Sequence, residues 1–228
     1  MMHRLSALGV IALATIGVAP GLAQDTAEHF LFSQQSSAVR PQGCSSDPLG
    51  FAQNDSIRRA IDLFGLSGAR IKFLGCTTTE FQTSAPPGID DDDLAFKIYY
   101  PVTDALQPRD YVAPLIHELG HAFQIKQVGS IAELKRLESR RIELGADFLA
   151  GLVFGKSGEM KLAQFHASTE LIGRYREKSN EHGTPEQRGY AFRFGVFFEK
   201  NHGVMNVEAA NAQFQRDDFA KVIELFSR

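Results

Sequence analysis

Two histidines four residues apart constrain the fold of this 228-residue chain more than any other feature. His117 and His121 stand in the stretch HELGH, which has apolar residues on both sides. On an α-helix, residues four apart lie on the same face, so both imidazoles would project toward one point. The apolar flanks predict that this helix is buried. The rest of the chain must therefore fold around a polar site inside its own core.

A catalytic zinc ion would suit such a site, since it binds three protein ligands and keeps a fourth position open. The HELGH stretch offers two imidazoles, and Glu118 lies one step round the helix, where it would hold a water molecule rather than the metal. Gln127 stands where a longer three-histidine motif has its last histidine, so the third ligand must come from elsewhere. Because the five-residue pattern also arises by chance, a helix with two buried histidines and no metal is the alternative interpretation.

The next predicted helix contains the best candidate for the third ligand. Glu143 and Asp147 stand there four residues apart and would share a face. We expect Glu143 to bind the metal and Asp147 to accept the second ring N–H of His117, which would fix the tautomer of that ring. Glu133 and Glu138 are rival ligands, although Glu133 is expected in a capping box and Glu138 lies between basic neighbours. Small residues would let the two helices approach closely, namely Gly145, Ala146, Ala150 and Gly151.

Three blocks follow one another along the chain: PLIHELGHAFQ at 114–124, RIELGADFLAG at 141–151 and HGTPEQRGYAFRFG at 182–195. Together they resemble the neutral zinc metallopeptidase family of bacteria, which is of the glutamate-zincin type. Gly145 stands where that family usually has glutamine, and the first third of the chain matches less well. The resemblance implies a zincin-like fold, one zinc ion per chain, Glu118 as the catalytic base and three zinc ligands, His117, His121 and Glu143.

The chemistry expected of such a site is metal-assisted hydrolysis. Zinc lowers the pKa of its water toward about 7 and polarises the scissile carbonyl. Glu118 would take the proton of that water and give it to the leaving amine. His182 and Arg188 are candidate stabilisers of the oxyanion formed during attack, although the block that contains them is also a good helix start.

The expected substrate is a peptide or a protein. A formal net charge of −3 without a basic stripe argues against nucleic acid as a partner. Two alternatives to an enzyme stay open. One is a zinc-containing binding module that has lost turnover, and the other is a metal-free interaction protein in which the HELGH stretch is coincidental.

The remaining sequence predicts an α+β fold that is mostly helical, with a small sheet near the N-terminus. Two stretches rich in aromatic and β-branched residues predict strands at Arg70–Cys76 and Ala95–Tyr100. Between them, residues 77–93 are predicted to form a long polar loop, in which four aspartates at 90–93 would be solvated. We expect the strand at 95–100 to be an open sheet edge, to which an extended peptide adds as a further strand.

Capping residues and glycines set the predicted helix ends. The helix with the HELGH stretch is capped by Asp110 and has Pro114 in its first turn, where proline is tolerated. The last helix has apolar residues at the i, i+3, i+4, i+7 spacing of one helix face. The predicted helices run from Asn54 to about Phe64, from Asp110 to about Val128, from Ser130 to about Phe154, from Met160 to Lys178, onward from Thr184, and over the C-terminal residues around 219–226.

The first residues predict export. A basic start is followed by the apolar run Leu5–Ala19 and by small residues ending at Ala23, which predicts a secretory signal peptide over residues 1–23. The apolar run is short for a membrane span, and an uncleaved anchor is the alternative. No second apolar stretch is long enough to cross a bilayer. Residues 24–50 are rich in Gln, Ser and Pro and predict a loose arm before a zincin-like domain at 51–228.

Two cysteines, Cys44 and Cys76, are consistent with export to an oxidising compartment. In an exported protein, periplasmic or secreted, an even pair predicts one disulfide. Closing such a loop would stabilise the fold by about 3–4 kcal/mol in the chain-entropy account. Two thiolate metal ligands are the rival interpretation, which the wide separation and the lack of a CxxC pattern disfavour.

Overall fold

The computed structural model describes five stretches of the chain, residues 29–30, 41–86, 94–157, 182–203 and 206–226. Three predictions lie outside these ranges: the signal peptide at 1–23, the aspartates at 90–93 and the helix at 160–178. The described residues form a small sheet and a helical majority, which confirms the predicted α+β class. Within the described ranges, no helix combines the length and the apolar character needed to cross a membrane.

A five-stranded sheet forms one layer of the described structure. In the order in which they lie side by side, its strands are β1 (His29–Phe30), β4 (Gln82–Ala85), β5 (Ala95–Pro101), β3 (Arg70–Cys76) and β2 (Ser45–Ser46). β3 and β5 run parallel, whereas the other neighbouring pairs run antiparallel. Ile98 lies at the centre of the sheet, opposite Phe73 on one side and Thr83 on the other. These three side chains therefore share one buried face of the sheet.

The strand predicted to be an open edge is the central strand of the sheet. β5 has β4 on one side and β3 on the other, so the prediction of an edge at 95–100 was wrong. Its aromatic and branched residues fit a strand that is paired on both sides. Residues 77–93 were predicted to be a loop, and yet they contain β4, whose side chains are small or polar. Pairing with β5 holds this strand, because its own strand preference is weak.

The described parts of the predicted loose arm are attached to the sheet. Ser45–Ser46 pairs with β3, and His29–Phe30 pairs with β4. The predicted disulfide is present and joins Cys44 to Cys76, the last residue of β3. The prediction of a loose arm over 24–50 was therefore wrong for these residues. Their polar composition does not prevent attachment, because backbone hydrogen bonds make the strand pairing.

Helices form the larger layer and complete one phenylalanine-rich core with the buried face of the sheet. A five-residue π-helical turn, Phe214–Asp218, joins the last two helices of the described chain. The helices are α1 (Asp55–Leu63), α2 (Pro108–Val128), α3 (Ile131–Leu134), α4 (Ser139–Ser157), α5 (Pro185–His202), α6 (Val207–Gln213) and α7 (Phe219–Leu225).

Helix α2 begins earlier than predicted. Its first residue is Pro108, and the backbone N–H of Gln107 donates to the Asp110 carboxylate at 2.9 Å. Asp110 therefore lies in the first turn, where its carboxylate closes a capping box with Gln107 and complements the helix dipole; Gln107, not Asp110, is the N-cap residue. Pro114 therefore lies inside the helix rather than in its first turn, because the helix begins at Pro108 and not after Asp110.

The single helix predicted over 130–154 is two helices, α3 and α4. Ser130 accepts a hydrogen bond from the N–H of Glu133 at 3.1 Å, as a capping residue should. The Glu133 carboxylate bonds Arg136 instead of closing a capping box. Residues 135–138 then separate the two helices. α4 continues three residues beyond the predicted end.

Two glycines let the core helices approach closely. A β-carbon on Gly151 of α4 would overlap the carbonyl oxygen of Phe192 in α5. Between α2 and α4, a β-carbon on Gly120 would lie 3.3 Å from backbone atoms of Ala146. Ala146 thus serves the predicted close packing of α4 on α2, whereas Gly151 serves the packing of α4 on α5. As a result, polar side chains from α2, α4 and α5 meet in the core.

Candidate metal centre

Helix α2 carries the predicted cluster into the core. His117, Glu118 and His121 are each at most 3% exposed, and one ligand atom from each lies within 4.8 Å of the others. The helix is buried over most of its middle, as the apolar flanks of HELGH predict. These three side chains form a buried group that could hold a metal ion.

Helix α4 places Glu143 against both imidazoles. One of its carboxylate oxygens lies 3.3 Å from Nε2 of His117, and the other lies 3.5 Å from Nε2 of His121. Two ligands bound about 2.0–2.1 Å from one tetrahedral ion would lie about 3.4 Å apart. The rival ligands Glu133 and Glu138 are exposed and pair with surface arginines. Among the described carboxylates, Glu143 and Glu118 thus lie close to the two histidines, whereas Glu133 and Glu138 do not.

Asp147 lies behind His117, where the sequence predicts it. Its Oδ1 atom is 2.8 Å from Nδ1 of His117. This contact places the ring hydrogen on Nδ1 and directs Nε2 toward Glu143. Burial by itself would lower the pKa of His117, but the charge and hydrogen bond of Asp147 outweigh it and raise that pKa to about 9.

Helix α5 contributes Arg188 from the far side of Asp147. The guanidinium donates to both carboxylate oxygens, at 2.7 Å from Nε and 2.9 Å from Nη2. Burial by itself would raise the pKa of Asp147, but Arg188 and then His117 hold that pKa below its usual value. Arg188 is therefore engaged as the ion-pair partner of Asp147, and it also lies 3.6 Å from Glu143.

His182, the other predicted oxyanion stabiliser, lies beside the third candidate ligand. Its Nδ1 atom is 3.4 Å from the Glu143 carboxylate, and the residue is 8% exposed. The structure therefore brings His182 to the same cluster as His117 and Glu143. The sequence block that begins with His182 also starts helix α5, since Thr184 accepts a hydrogen bond from the N–H of Gln187.

The buried charges of the described structure all belong to this centre. Three carboxylates stand against one guanidinium, which leaves two negative charges when the imidazoles are neutral. Buried charge without compensation is costly, so a divalent cation would stabilise a group of this composition. Imidazole nitrogen and carboxylate oxygen are also donors that zinc accepts. The charged residues are Glu118, Glu143, Asp147 and Arg188.

Thr83 is a site residue that the sequence analysis missed. It is 1% exposed, and its hydroxyl lies 2.7 Å from Oε2 of Glu118 and 2.9 Å from the backbone oxygen of the same residue. The hydroxyl can thus donate to the carboxylate and fix its rotamer. A run of small, uncharged residues before Pro86 is the only sequence signal for the strand that positions it.

No protein family model, no curated protein and no solved structure matches this chain. The resemblance of the three sequence blocks to a zinc metallopeptidase family stays a prediction. The function must therefore be argued from the buried cluster itself.

Proposed function

We propose that this chain is a zinc-dependent metallopeptidase that hydrolyses peptide bonds. The observation that carries the proposal is the position of Glu143, whose two carboxylate oxygens face Nε2 of His117 and of His121 at 3.3 and 3.5 Å. A set of two histidines and one glutamate leaves a fourth position for catalysis. The proposed ligands are His117, His121 and Glu143, and the proposed base is Glu118.

The proposed ion would complete the charge of the site. With both imidazoles neutral, as metal binding requires, the site carries two negative charges, which match one divalent cation. Zinc suits a mixed imidazole and carboxylate set. When bound, it supplies a Lewis acid that polarises the scissile carbonyl and lowers the pKa of the attacking water toward about 7. A metal-free interaction protein has no need of this concentration of buried carboxylates.

Glu118 acts as the general base in this proposal. It takes a proton from the attacking water and delivers it to the nitrogen of the leaving amine. The Thr83 hydroxyl holds Oε2 at 2.7 Å, which leaves Oε1 to accept the proton. A carboxylate held in one rotamer loses less entropy when it reaches the reacting water. This hydrogen bond supports a catalytic role for Glu118 over a role in a binding module without turnover.

Asp147 and Arg188 fix the orientation and the tautomer of His117 for its proposed role as a ligand. The Asp147 carboxylate keeps the hydrogen on Nδ1, and Arg188 keeps that carboxylate charged and immobile. Arg188 thereby acts on the ligand rather than on the oxyanion. His182 remains the candidate for the oxyanion, since its ring lies at the edge of the cluster beside Glu143.

The proposed setting is outside the cytoplasm, either periplasmic or secreted. The disulfide between Cys44 and Cys76 is compatible with an oxidising compartment. The N-terminal sequence adds the pattern of a secretory signal. A peptide or protein encountered in that compartment is the proposed substrate.

Comparing Glu118→Gln with wild type tests this function. Both proteins are loaded with zinc, and cleavage of a pool of fluorogenic peptides and of unfolded protein is followed. We expect the variant to keep its zinc and to lose cleavage by about 100- to 10,000-fold, because the base is removed while the ligands stay. Glu138→Gln, on the exposed surface, is the matched control. Equal cleavage by wild type and Glu118→Gln, or a zinc-loaded wild type that cleaves nothing in the pool, would count against the peptidase proposal.

A further inference from the structure

The second imidazole of the cluster has a support of its own, formed by Gln124. The amide oxygen of Gln124 lies 3.0 Å from Nδ1 of His121, and its amide nitrogen donates to the backbone oxygen of Ile142 at 2.9 Å. Gln124 is 5% exposed, so these contacts form away from water. We propose that Gln124 is a positioning residue that fixes the tautomer of His121 and links the two ligand-bearing helices.

The orientation of the amide follows from the partner on α4. A backbone carbonyl oxygen only accepts hydrogen bonds, so the NH₂ group of Gln124 must face Ile142. The amide oxygen must then face His121. Because that oxygen also only accepts, Nδ1 of His121 must carry the hydrogen. The Nε2 atom, which faces Glu143 at 3.5 Å, is then left with its lone pair as a metal ligand requires.

The same amide joins α2 to α4 next to the third candidate ligand. Ile142 directly precedes Glu143 in the chain, so Gln124 holds the backbone from which that carboxylate projects. A shift of α4 relative to α2 would break this bond and separate Glu143 from His121. Gln124 therefore sets two quantities at once, the tautomer of one ligand and the distance to another.

Gly145 leaves the space that the amide occupies. A β-carbon there would lie 2.7 Å from the amide nitrogen of Gln124 and would overlap the amide nitrogen of Gln215. Both neighbours are ends of flexible side chains, so an alanine would displace them rather than prevent folding. Gly145→Ala is therefore a way to move Gln124 without changing it.

The role of Gln124 rests on the proposed metal site, but its first test needs no metal. Long-range ¹H–¹⁵N spectra of protein labelled at histidine report which ring nitrogen carries the hydrogen. Under conditions in which the spectrum shows a neutral His121 ring, metal-free wild type should have the ring hydrogen on Nδ1. In Gln124→Met the Nε2 tautomer should appear, whereas the surface variant Gln127→Met should retain the Nδ1 form. A wild-type His121 with its hydrogen on Nε2 would overturn the inference without any variant.

The second test is zinc affinity, measured by competition with a chromophoric chelator. Loss of an outer partner of a metal-binding histidine lowers metal affinity by about 10–100-fold, which is the expectation for Gln124→Met. Gly145→Ala should lower affinity in the same direction and by less. Gln127→Met is the matched control, because Gln127 lies one turn along on the exposed face of α2 and bonds Glu208. That control should bind zinc as wild type does.

The outcomes separate this inference from the proposed function. A wild type that binds no zinc would refute the proposed function, and the tautomer of His121 in the same protein would still decide the role of Gln124. If wild type binds zinc and Gln124→Met shows equal zinc affinity and an unchanged His121 tautomer, the role of Gln124 is overturned. The proposed function then stands.

Discussion

The two imidazoles of the centre are supported in opposite ways. His117 is held by a charged pair, since its Nδ1 bonds Asp147 and that carboxylate bonds Arg188 through both oxygens. His121 is held by neutral groups, the amide of Gln124 and a backbone carbonyl behind it. The charged support comes from two other helices, whereas the neutral support begins three residues along the same helix.

This difference predicts unequal penalties for removing the two supports. Removing one partner of a buried ion pair leaves an uncompensated charge and costs about 3–5 kcal/mol. Removing a neutral hydrogen-bond partner costs about 1–3 kcal/mol. The charged support of His117 should therefore contribute mainly to folding stability. The neutral support of His121 should contribute mainly to metal affinity.

The largest effect is expected from Arg188→Met, which removes the only guanidinium among the buried residues of the described structure. Asp147 would then be buried without its ion-pair partner. We expect the free energy of unfolding to fall by about 3–5 kcal/mol, measured by urea denaturation. The control is Arg140→Met, whose exposed pair with Glu138 should contribute less than about 1 kcal/mol. A loss below that level for Arg188→Met would mean that the charged support is not needed for folding.

The next effect is a pH dependence of the metal-free protein. The pKa of His117 is about 9 in the folded chain, because Asp147 outweighs the effect of burial, against about 6.5 for an unperturbed histidine. A raised folded pKa stabilises the protein fully below the unfolded value, and that stabilisation is lost as the pH rises through about 9. Chelator-treated protein should lose up to about 3 kcal/mol of unfolding free energy over this window.

Urea titrations at several pH values measure this loss, and Asp147→Asn provides the comparison. The variant should show a flatter profile, since it lacks the Asp147 charge that raises the pKa of His117. If the unfolding free energy of wild type varied with pH as little as that of Asp147→Asn, the stabilising role of the charged support of His117 would be contradicted.

The smallest effect is expected from Thr83→Val, which touches neither imidazole. Thr83 bonds Glu118 at 2.7 Å, so its loss should free the base to rotate without disturbing the ligands. We expect turnover to fall by about tenfold while zinc content stays unchanged. Ser84→Ala, one residue along the same strand, is the matched control and should keep wild-type turnover. A loss of zinc in Thr83→Val would place this residue in the metal centre instead.

The centre could be predicted from the sequence where its geometry is local. His117 and His121 are four apart on one helix, and Glu143 and Asp147 repeat the spacing on another, so helical periodicity alone gives two faces that can meet. The contact of Asp147 with His117 was predicted correctly for this reason. The packing of α2 against α4 was signalled by small residues such as Ala146, whereas Gly151 of the same set packs against α5.

The parts that depend on distant partners could not be predicted. β4 has little strand preference of its own, and it forms because β5 lies beside it, so Thr83 was assigned to a loop. The pairing of β5 on both sides is likewise set by segments far away in the chain. Arg188 was predicted as a candidate oxyanion stabiliser, but its engagement with Asp147 depends on how α5 packs.

The most direct test of the central claim is the zinc content of the purified protein, in wild type and in Glu143→Ala side by side. Metal is measured per chain after loading and dialysis, with Glu138→Ala as the surface control. The arrangement of two imidazoles around Glu143 predicts about one zinc ion per chain in wild type and in the control, and much less in Glu143→Ala. Wild type that retains no zinc, or Glu143→Ala that retains as much as wild type, would contradict it.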